Sequence, residues 1–241
     1  MGLLKGFRTK IELYLVALFN AGLIPVIPSQ GSVGASGDLA PLAHMALPLL
    51  GYGEVYDGQR GQRRIKGAAA LKKVGRKPLE LAAKEGLALI NGTQIMTAIG
   101  LLAVARARNL NQVADIACAM TIEALRGSER PFIAKVHKLR PHDGQIRTAA
   151  NLRRLLRGSA IMKSHTSCEK VQDAYSLRCA PQVHGPAREG YAELIATLTT
   201  ELNSATDNPL IFPDPSNPGP HEVVSGGNFH GQVLGLAADR M

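Results

Sequence analysis

The 241-residue sequence has no tryptophan, and aromatic residues make up only 4% of it. Its three cysteines, Cys118, Cys168 and Cys179, are widely spaced and form no CxxC pair. The seven histidines are also scattered, and no HExxH sequence occurs. Such spacing is not that of metal ligands, so we expect no metal ion. An odd, dispersed set of cysteines favours a reducing compartment, and we predict a cytoplasmic protein.

The sequence also lacks an uninterrupted apolar run long enough to cross a membrane. The nearest candidate, residues 11–27, is broken by Glu12, Asn20, Gly22 and Pro25 and has no small-residue cleavage pattern. A membrane span needs about 20 consecutive apolar residues. We therefore expect neither an anchor nor a secretory leader.

Basic residues outnumber acidic ones, but they lack the aromatic partners of a nucleic-acid surface. The formal net charge is +9, and the densest basic stretch, residues 60–77, contains no Phe, Tyr or Trp. Single-stranded nucleic acids are usually held by stacking on aromatic rings beside basic groups. Only the net charge favours a nucleic-acid binder, and we predict no nucleic-acid partner.

Abundant Ala and Leu, with apolar residues at helical spacing, predict an all-α fold made of long helices. The predicted helices are 9–21, 39–50, 93–126, 142–157 and 187–203. Residues 53–65 contain Asp57-Gly58 between short apolar flanks and predict a small surface β-hairpin. Helices this long and this apolar imply oligomeric packing. The final stretch, 228–241, reads as a helix without a C-cap, as if the chain were cut short.

The stretch GSVGASGDLAPLAH, residues 31–44, contains an unusually bare backbone. A phosphate-binding loop would need a lysine where Asp38 follows Gly37, so that interpretation fails. A hydrolase nucleophile elbow would need a second glycine and a preceding strand, and both are missing. A flexible turn between two helices is the plain structural alternative.

A fourth interpretation uses the backbone itself. If the amide nitrogen of Gly37 reaches the carbonyl carbon of Ala35, only minimal side chains at both positions avoid a clash. Ring closure, with loss of water from the ring and from Ser36, would leave an exocyclic methylene. Such a group is electrophilic and can accept a substrate amine.

Five stretches in register resemble the aromatic amino acid ammonia-lyase family. They are GSVGASGDLAPLAH (31–44), EGLALINGTQ (85–94), VQDAYSLRCAPQVHG (171–185), TELNSATDNPLIF (200–212) and SGGNFHG (225–231). The resemblance implies a fumarase/aspartase-like helical bundle in which Ala35, Ser36 and Gly37 cyclise into a methylidene-imidazolone group, with no external cofactor. It implies one central fragment of the catalytic core over 1–241, with the active-site loop at 28–38, a hairpin at 53–66 and the bundle at 80–241.

The resemblance also implies roles for individual side chains. Tyr175 would be catalytic, and Arg178 would bind the substrate carboxylate, to which a guanidinium can bind in a bidentate manner. Asn91 would lie beside the substrate amine, and Gln172 and Phe229 would orient and wall the site. Asp38 would support ring formation. The spacing of Gln172, Tyr175 and Arg178 allows one tight turn to present all three, whereas the segment 207–209 resembles a structural turn.

Three short sequences favour histidine as the substrate within this family: NGTQ at 91–94, QVHG at 182–185 and NFHG at 228–231. The product would then be urocanate. Relatives are longer at both ends and carry further pocket residues there, and their active sites are shared among the subunits of a homotetramer, so the isolated chain is expected to be inactive. Two alternatives stay open: a non-catalytic subunit of the same family, and a lyase for another aromatic amino acid.

Overall fold

The computed structural model describes residues 8–32, 38–58, 63–167, 170–213, 216 and 222–241. The helices in these ranges are Thr9–Asn20 (α1), Leu39–Ala46 (α2), Gly67–Lys73 (α3), Glu85–Ile90 (α4), Gln94–Ala124 (α5), Ala134–Lys138 (α6), Asp143–Leu155 (α7), Ala160–Ser164 (α8), Tyr175–Arg178 (α9), Ala180–Leu202 (α10) and Gln232–Asp239 (α11). Leu47–Leu50 and Arg130–Phe132 form short 3-10 helices. The strands are Leu23–Pro25 (β1), Glu54–Asp57 (β2), Arg63–Lys66 (β3), Leu210–Phe212 (β4) and Glu222–Val224 (β5). The predicted, predominantly helical fold is confirmed.

The chain divides into two compact units, and the boundaries fall within three helices, α5, α10 and α11. The sheet unit comprises Met1–Ile99 and Leu198–Gly235, and it holds all the described strands. The helix unit comprises Gly100–Thr197 and Leu236–Met241.

The sheet unit contains the predicted hairpin and three further strands, of which β4 and β5 pair antiparallel with each other, with Ile211 opposite Val223. Strands β2 and β3 pair antiparallel, with Val55 opposite Ile65, and β1 pairs with the other edge of β2. Sequence patterning misses β1 because it has three residues and ends in Pro25, which only an edge position tolerates. Apolar side chains from α1, β1, α2, the 3-10 helix Leu47–Leu50, β2, α3 and α4 form the core of this unit, among them the fully buried Ile11 and Leu49.

Helix α5 is the predicted long helix, and its 31 residues make it about 46 Å long. It ends in a Schellman motif, in which Gly127 N donates to Ile122 O and Arg126 N donates to Glu123 O. The left-handed residue is Arg126, with φ 51°, rather than the glycine. Gly127 has a different reason to be small, because a Cβ there would lie 3.2 Å from Ile122 Cγ2 and 3.4 Å from Asp173 Oδ2.

Helix α10 begins at Ala180, seven residues before the predicted start, and continues through Pro186. Proline inside a helix removes one hydrogen bond and predicts a helix boundary. Here tertiary contacts hold the turn in place. A Cβ on Gly185 would lie 2.5 Å from Gln145 N, so α10 approaches α7 closely at this point.

Helix α5 leaves an apolar stripe uncovered in the described structure. Leu102, Leu110, Val113 and Met120 fall on one side of the helix, and each is more than half exposed. The oligomeric packing predicted from the sequence would cover this stripe. None of the described helices combines the length and the apolar character that a membrane crossing requires.

Candidate active site

In the sheet unit, the start of α5 is where the predicted site residues collect. Asp38 is fully buried, and its Oδ2 accepts a hydrogen bond from Met96 N at 2.7 Å. Its Oδ1 accepts from the hydroxyl of Ser32. Local sequence suggests that Asp38 caps its own helix, α2, but its side chain makes no bond there. It caps the first turn of α5 instead, where an anionic group is favourable.

Asn91 lies directly before this helix start and is buried. Its Nδ2 donates to Asp207 Oδ1 at 3.0 Å and to Asn208 O at 3.4 Å. Asp38 N donates to Gly92 O at 3.3 Å, which ties the residue after the tripeptide to the residue after Asn91. The backbone of Asp38 is therefore in direct contact with the backbone of Gly92.

Two further stretches pack onto the same helix start. The hydroxyl of Thr93 donates to the carboxylate of Glu201, and a Cβ on Gly231 would lie 3.1 Å from the sulfur of Met96. Gly226 N donates to Asn208 Oδ1 at 2.7 Å. Four of the five stretches that carry the family resemblance thus meet at residues 91–96 of the sheet unit.

Not every predicted residue can be placed. Ala35, Ser36 and Gly37 lie outside the described residues. Phe229 is half-buried in the turn before α11. Gln94 adds one observation, because its Oε1 is buried and has no hydrogen-bond partner among the described residues.

The fifth stretch lies in the helix unit and carries Gln172, Tyr175 and Arg178. Tyr175 and Arg178 begin and end α9, and the guanidinium carbon of Arg178 lies 5.0 Å from the centre of the Tyr175 ring. This distance is that of a cation–π contact. Tyr175 is exposed, and Gln172 lies before the helix rather than on its face. The predicted single turn therefore presents two of the three side chains.

Gln172 and Arg178 line a cavity of about 780 Å³ in the helix unit. Its lining is rich in cations, namely Arg126, Arg130, Lys163, Lys170 and Arg178. Two carboxylates, Glu129 and Asp173, oppose them. Asp173 Oδ2 accepts from Ser128 N at 2.6 Å, so it fixes the segment before α9 to the end of α5. The cavity suits an anionic group.

Arg178 is only partly exposed, and its Nε is buried without a hydrogen-bond partner in the described part of the chain. A buried donor left unpaired costs about 1–3 kcal/mol. A carboxylate that accepted from Nε itself would remove the cost. The geometry therefore allows, in this unit, the anion binding that the resemblance implies.

The QVHG sequence has a packing role in the structure. His184 Nδ1 lies 2.9 Å from Asp115 Oδ1, and Arg188 pairs with the other oxygen of this fully buried carboxylate. Burial alone would raise the pKa of Asp115, but hydrogen bonds from His184 and Asn151 and the charge of Arg188 outweigh it, so the pKa is lowered. This cluster fixes α10 to α5 on both sides of Pro186.

Two residues that contact a predicted site residue or its partner carry no signal in the sequence. The sequence around Asp207 predicts a structural turn, yet Asp207 is fully buried and contacts Asn91 directly. Lys84 belongs to no recognisable motif, yet its Nζ lies 2.7 Å from Asp207 Oδ2. No local pattern could reveal this pair because 123 positions separate the two residues. A buried aspartate beside a motif asparagine is visible only in three dimensions.

Comparisons with known proteins identify the family of this chain. The sequence profile of the aromatic amino acid lyases matches residues 4–241. Histidine ammonia-lyase from Sorangium cellulosum is 57% identical over 235 residues, which are 97% of this chain and 45% of that protein. The crystal structure of histidine ammonia-lyase from Trypanosoma cruzi is 45% identical with a TM-score of 0.83, covering 98% of this chain and 42% of that one. Tyrosine aminomutase from Streptomyces globisporus is 43% identical with a TM-score of 0.82, covering 97% and 46%.

The described helices and the two similar crystal structures define a helical fold class that ammonia-lyases and aminomutases share. The chain belongs to the aromatic amino acid lyase family. It spans less than half the length of the relatives it matches.

Proposed function

We propose that the chain forms the central part of a histidine ammonia-lyase, which converts L-histidine into trans-urocanate and ammonia. The observation that carries the proposal is the meeting of four motif stretches at residues 91–96. There the residue after the tripeptide, Asp38, is hydrogen bonded beside Asn91. A region used only for packing would not need a buried aspartate and a buried asparagine at one helix start.

The described residues fit a prosthetic group made from Ala35, Ser36 and Gly37. Ser32 and Asp38, which flank the stretch, contact each other through their side chains, so the two ends of the stretch lie close together. The buried Gln94 Oε1, without a partner among the described residues, offers a hydrogen-bond acceptor in the same region. When formed, the group supplies an electrophilic carbon that takes up the substrate amine and improves its nitrogen as a leaving group.

The reaction breaks the Cα–N bond, removes one β-proton and forms a carbon–carbon double bond, without any oxidation or reduction. In our proposal Arg178 holds the substrate carboxylate, and Tyr175 acts at its phenol oxygen as a base or hydrogen-bond partner. Asn91 holds the substrate amine, while Gln172 and Phe229 orient and enclose the substrate. Asp38 holds the backbone beside the tripeptide.

Histidine is the proposed substrate because the histidine ammonia-lyase from Sorangium cellulosum is 57% identical over 97% of this chain. The fold alone does not choose between histidine ammonia-lyase and tyrosine aminomutase, since the two solved structures match it with TM-scores of 0.83 and 0.82. The NGTQ and NFHG sequences, which favour histidine, both lie at the start of α5. We also propose a cytoplasmic homotetramer, in which the exposed stripe of α5 is covered by other subunits.

Intact mass spectrometry tests the prosthetic group. We expect the purified chain to be lighter than its sequence requires by two molecules of water, because ring closure and loss of the Ser36 hydroxyl each release one. Ser36→Ala should restore the unmodified backbone mass. The matched control is Ser29→Ala, at an exposed serine of the same loop, which should keep the loss of two waters. An unmodified parent chain would contradict ring formation.

The formation of urocanate, followed by its ultraviolet absorbance, tests the reaction. The purified chain is assayed with L-histidine, L-tyrosine and L-phenylalanine. A second protein is made from the Sorangium cellulosum relative by replacing its matching segment with these 241 residues, so that the relative supplies the remaining length. We expect the exchanged protein to act on L-histidine. If it folds, carries the modified mass and acts on none of the three, the chain is a non-catalytic member of the family.

A further inference from the structure

Asn91 is held by a small cluster of charges that the mechanism above does not use. Asp207 Oδ1 accepts from Asn91 Nδ2 at 3.0 Å and from Asn208 N at 2.7 Å. Its Oδ2 accepts from Lys84 Nζ at 2.7 Å. Asp207 is fully buried, and the Lys84 side chain is only 14% exposed. Buried ion pairs are maintained only where geometry and further hydrogen bonds compensate for their desolvation, as they do here.

The cluster decides which way the Asn91 amide faces. Nδ2 donates to a carboxylate oxygen of Asp207 and to the backbone carbonyl of Asn208, and these two groups can only accept hydrogen bonds. A flipped amide would place Asn91 Oδ1 against these oxygens, with repulsion in place of two hydrogen bonds. The amide nitrogen is therefore committed to Asp207 and Asn208, and the amide oxygen lies on the other side.

The backbone around the cluster is equally constrained. Lys84 adopts φ 72°, a left-handed conformation that costs an ordinary residue about 1–2 kcal/mol. Gly92, next to Asn91, has φ 121°, and a Cβ there would collide with Thr206 O and lie 2.7 Å from Thr206 Oγ1. Lys84 and Gly92 thus hold unusual backbone conformations on either side of α4, facing the segment 206–208.

We infer that Asp207, charge-balanced by Lys84, is a positioning residue that orients the Asn91 amide so that its oxygen is presented to the substrate amine. The inference rests on the proposed function for its catalytic consequence and on the hydrogen bonds alone for the orientation. An amino group brought to this oxygen donates a hydrogen bond to it. The direction of the leaving nitrogen is then fixed by a residue that never contacts substrate.

Three substitutions test the inference. In Asp207→Asn, the new amide can turn its oxygen toward Asn91 only by turning its NH₂ toward the Lys84 ammonium, so one of the two bonds is lost. Asn91→Ala removes the oriented group itself. Glu85→Gln is the matched control, because Glu85 is also a buried carboxylate of the sheet unit that pairs with a cation, and its oxygens accept from Arg8 and from Ala82 N.

The first measurement needs no activity. The side-chain amide protons of Asn91, assigned by their absence in Asn91→Ala, are followed by NMR hydrogen exchange in the purified chain. We expect Asp207→Asn to speed their exchange about tenfold, which corresponds to about 1.4 kcal/mol, the size of one hydrogen bond to a charged group. Glu85→Gln should leave the exchange unchanged. Unchanged exchange in Asp207→Asn would overturn the inference, whatever the protein catalyses.

The second measurement is kinetic, in whichever of the two preparations forms urocanate. We expect Asp207→Asn to lower kcat by about 10- to 100-fold, the size of effect that slight misplacement of a reacting group has. KM should change little, and Asp207→Asn added to Asn91→Ala should have no further effect. Glu85→Gln should lower the Tm without changing kcat. Additive kinetic losses, or an unchanged kcat in Asp207→Asn, would contradict the inference.

The two measurements separate the inference from the proposed function. Faster exchange in Asp207→Asn, together with parent preparations that form no urocanate, would support the orientation of Asn91 and refute the lyase reaction. Unchanged exchange in Asp207→Asn, together with parent preparations that form urocanate, would refute the orientation of Asn91 by Asp207 and support the lyase reaction.

Discussion

The sheet unit and the helix unit differ in how fully the polar groups of their candidate sites are hydrogen bonded. In the sheet unit, the carboxylates of Asp38 and Asp207 are fully buried, and every one of their four oxygens accepts a hydrogen bond. In the helix unit, Arg178 keeps a buried Nε without a partner among the described residues, beside a cavity of about 780 Å³. The two carboxylates have all their oxygens hydrogen bonded within the unit, whereas the guanidinium has a donor left for an anion.

This difference matches the two tasks of the proposed reaction. A group that must keep its orientation while bonds change needs its own hydrogen bonds satisfied in advance, because reorganisation during the reaction is then avoided. A group that binds substrate gains most if its hydrogen bonds are formed only in the complex. Substitutions of the buried polar residues in the sheet unit should therefore lower stability. Substitution of Arg178 in the helix unit should instead weaken substrate binding.

The largest expected effect is on catalysis, at Arg178. In the preparation that forms urocanate, Arg178→Met should lower kcat/KM about 100- to 1000-fold, because a bidentate, charge-assisted contact to the substrate carboxylate is lost. The Tm should stay within the scatter of the parent, since the side chain leaves a donor unpaired in the free protein. Steady-state kinetics and thermal unfolding measure the two effects.

Arg188→Met is the control for Arg178→Met in the same unit. Arg188 pairs with the buried Asp115 and donates to Thr148 Oγ1 at 3.1 Å. Its loss leaves a buried carboxylate with one partner fewer, which should lower the Tm clearly. If Arg178→Met destabilised the fold as much as Arg188→Met, the distinction between an arginine with an unpaired donor and an arginine paired with a buried carboxylate would be wrong.

The next effect is on stability, at Gly92 in the sheet unit. Gly92→Ala combines a positive φ of 121° with a Cβ 2.7 Å from Thr206 Oγ1, and we expect the free energy of unfolding to fall by about 3–4 kcal/mol. Gly22→Ala is the matched variant, with φ 67° and nothing within 4 Å of the added carbon, and should cost only about 1 kcal/mol. Denaturant unfolding measures both, and equal losses would refute the tight packing at residue 92.

The sequence predicts the long elements of this fold well, because their signals are local. Helix α5 has no proline and repeats apolar residues at helical spacing, so its 31 residues follow the prediction within two positions at each end. The start of α10 could not be predicted in this way. Pro186 indicates a boundary locally, and only the contact of Gly185 with α7 and the bonds to Asp115 overrule it.

The same distinction holds for the candidate site. The motif stretches identify Asn91, Asp38, Tyr175 and Arg178 as candidates, but not what each side chain contacts. Asp38 stands where its own helix would use it as a cap, and it caps α5 instead, 58 positions away. Asp207 follows the pattern of a turn and is the carboxylate that holds Asn91. Long-range hydrogen bonds decide such roles, and spacing along the chain does not encode them.

The smallest expected effect is a difference in acid sensitivity between the units. In the helix unit, burial lowers the pKa of His137, whose Nε2 and Nδ1 bond Pro131 O and Gln145 Nε2 at 3.0 Å each. The unfolded chain then binds the proton more readily, so stability falls as pH drops below the ordinary value of 6.5. In the sheet unit, a hydrogen bond from Arg8 lowers the pKa of Glu85 to about 2, so its contribution is full above the ordinary 4.5 and is lost as pH falls toward 2. Thermal unfolding across this pH range should show a first loss that His137→Gln removes and a second that Glu85→Gln removes. A first loss that persists in His137→Gln would show that another group makes the helix unit acid-sensitive.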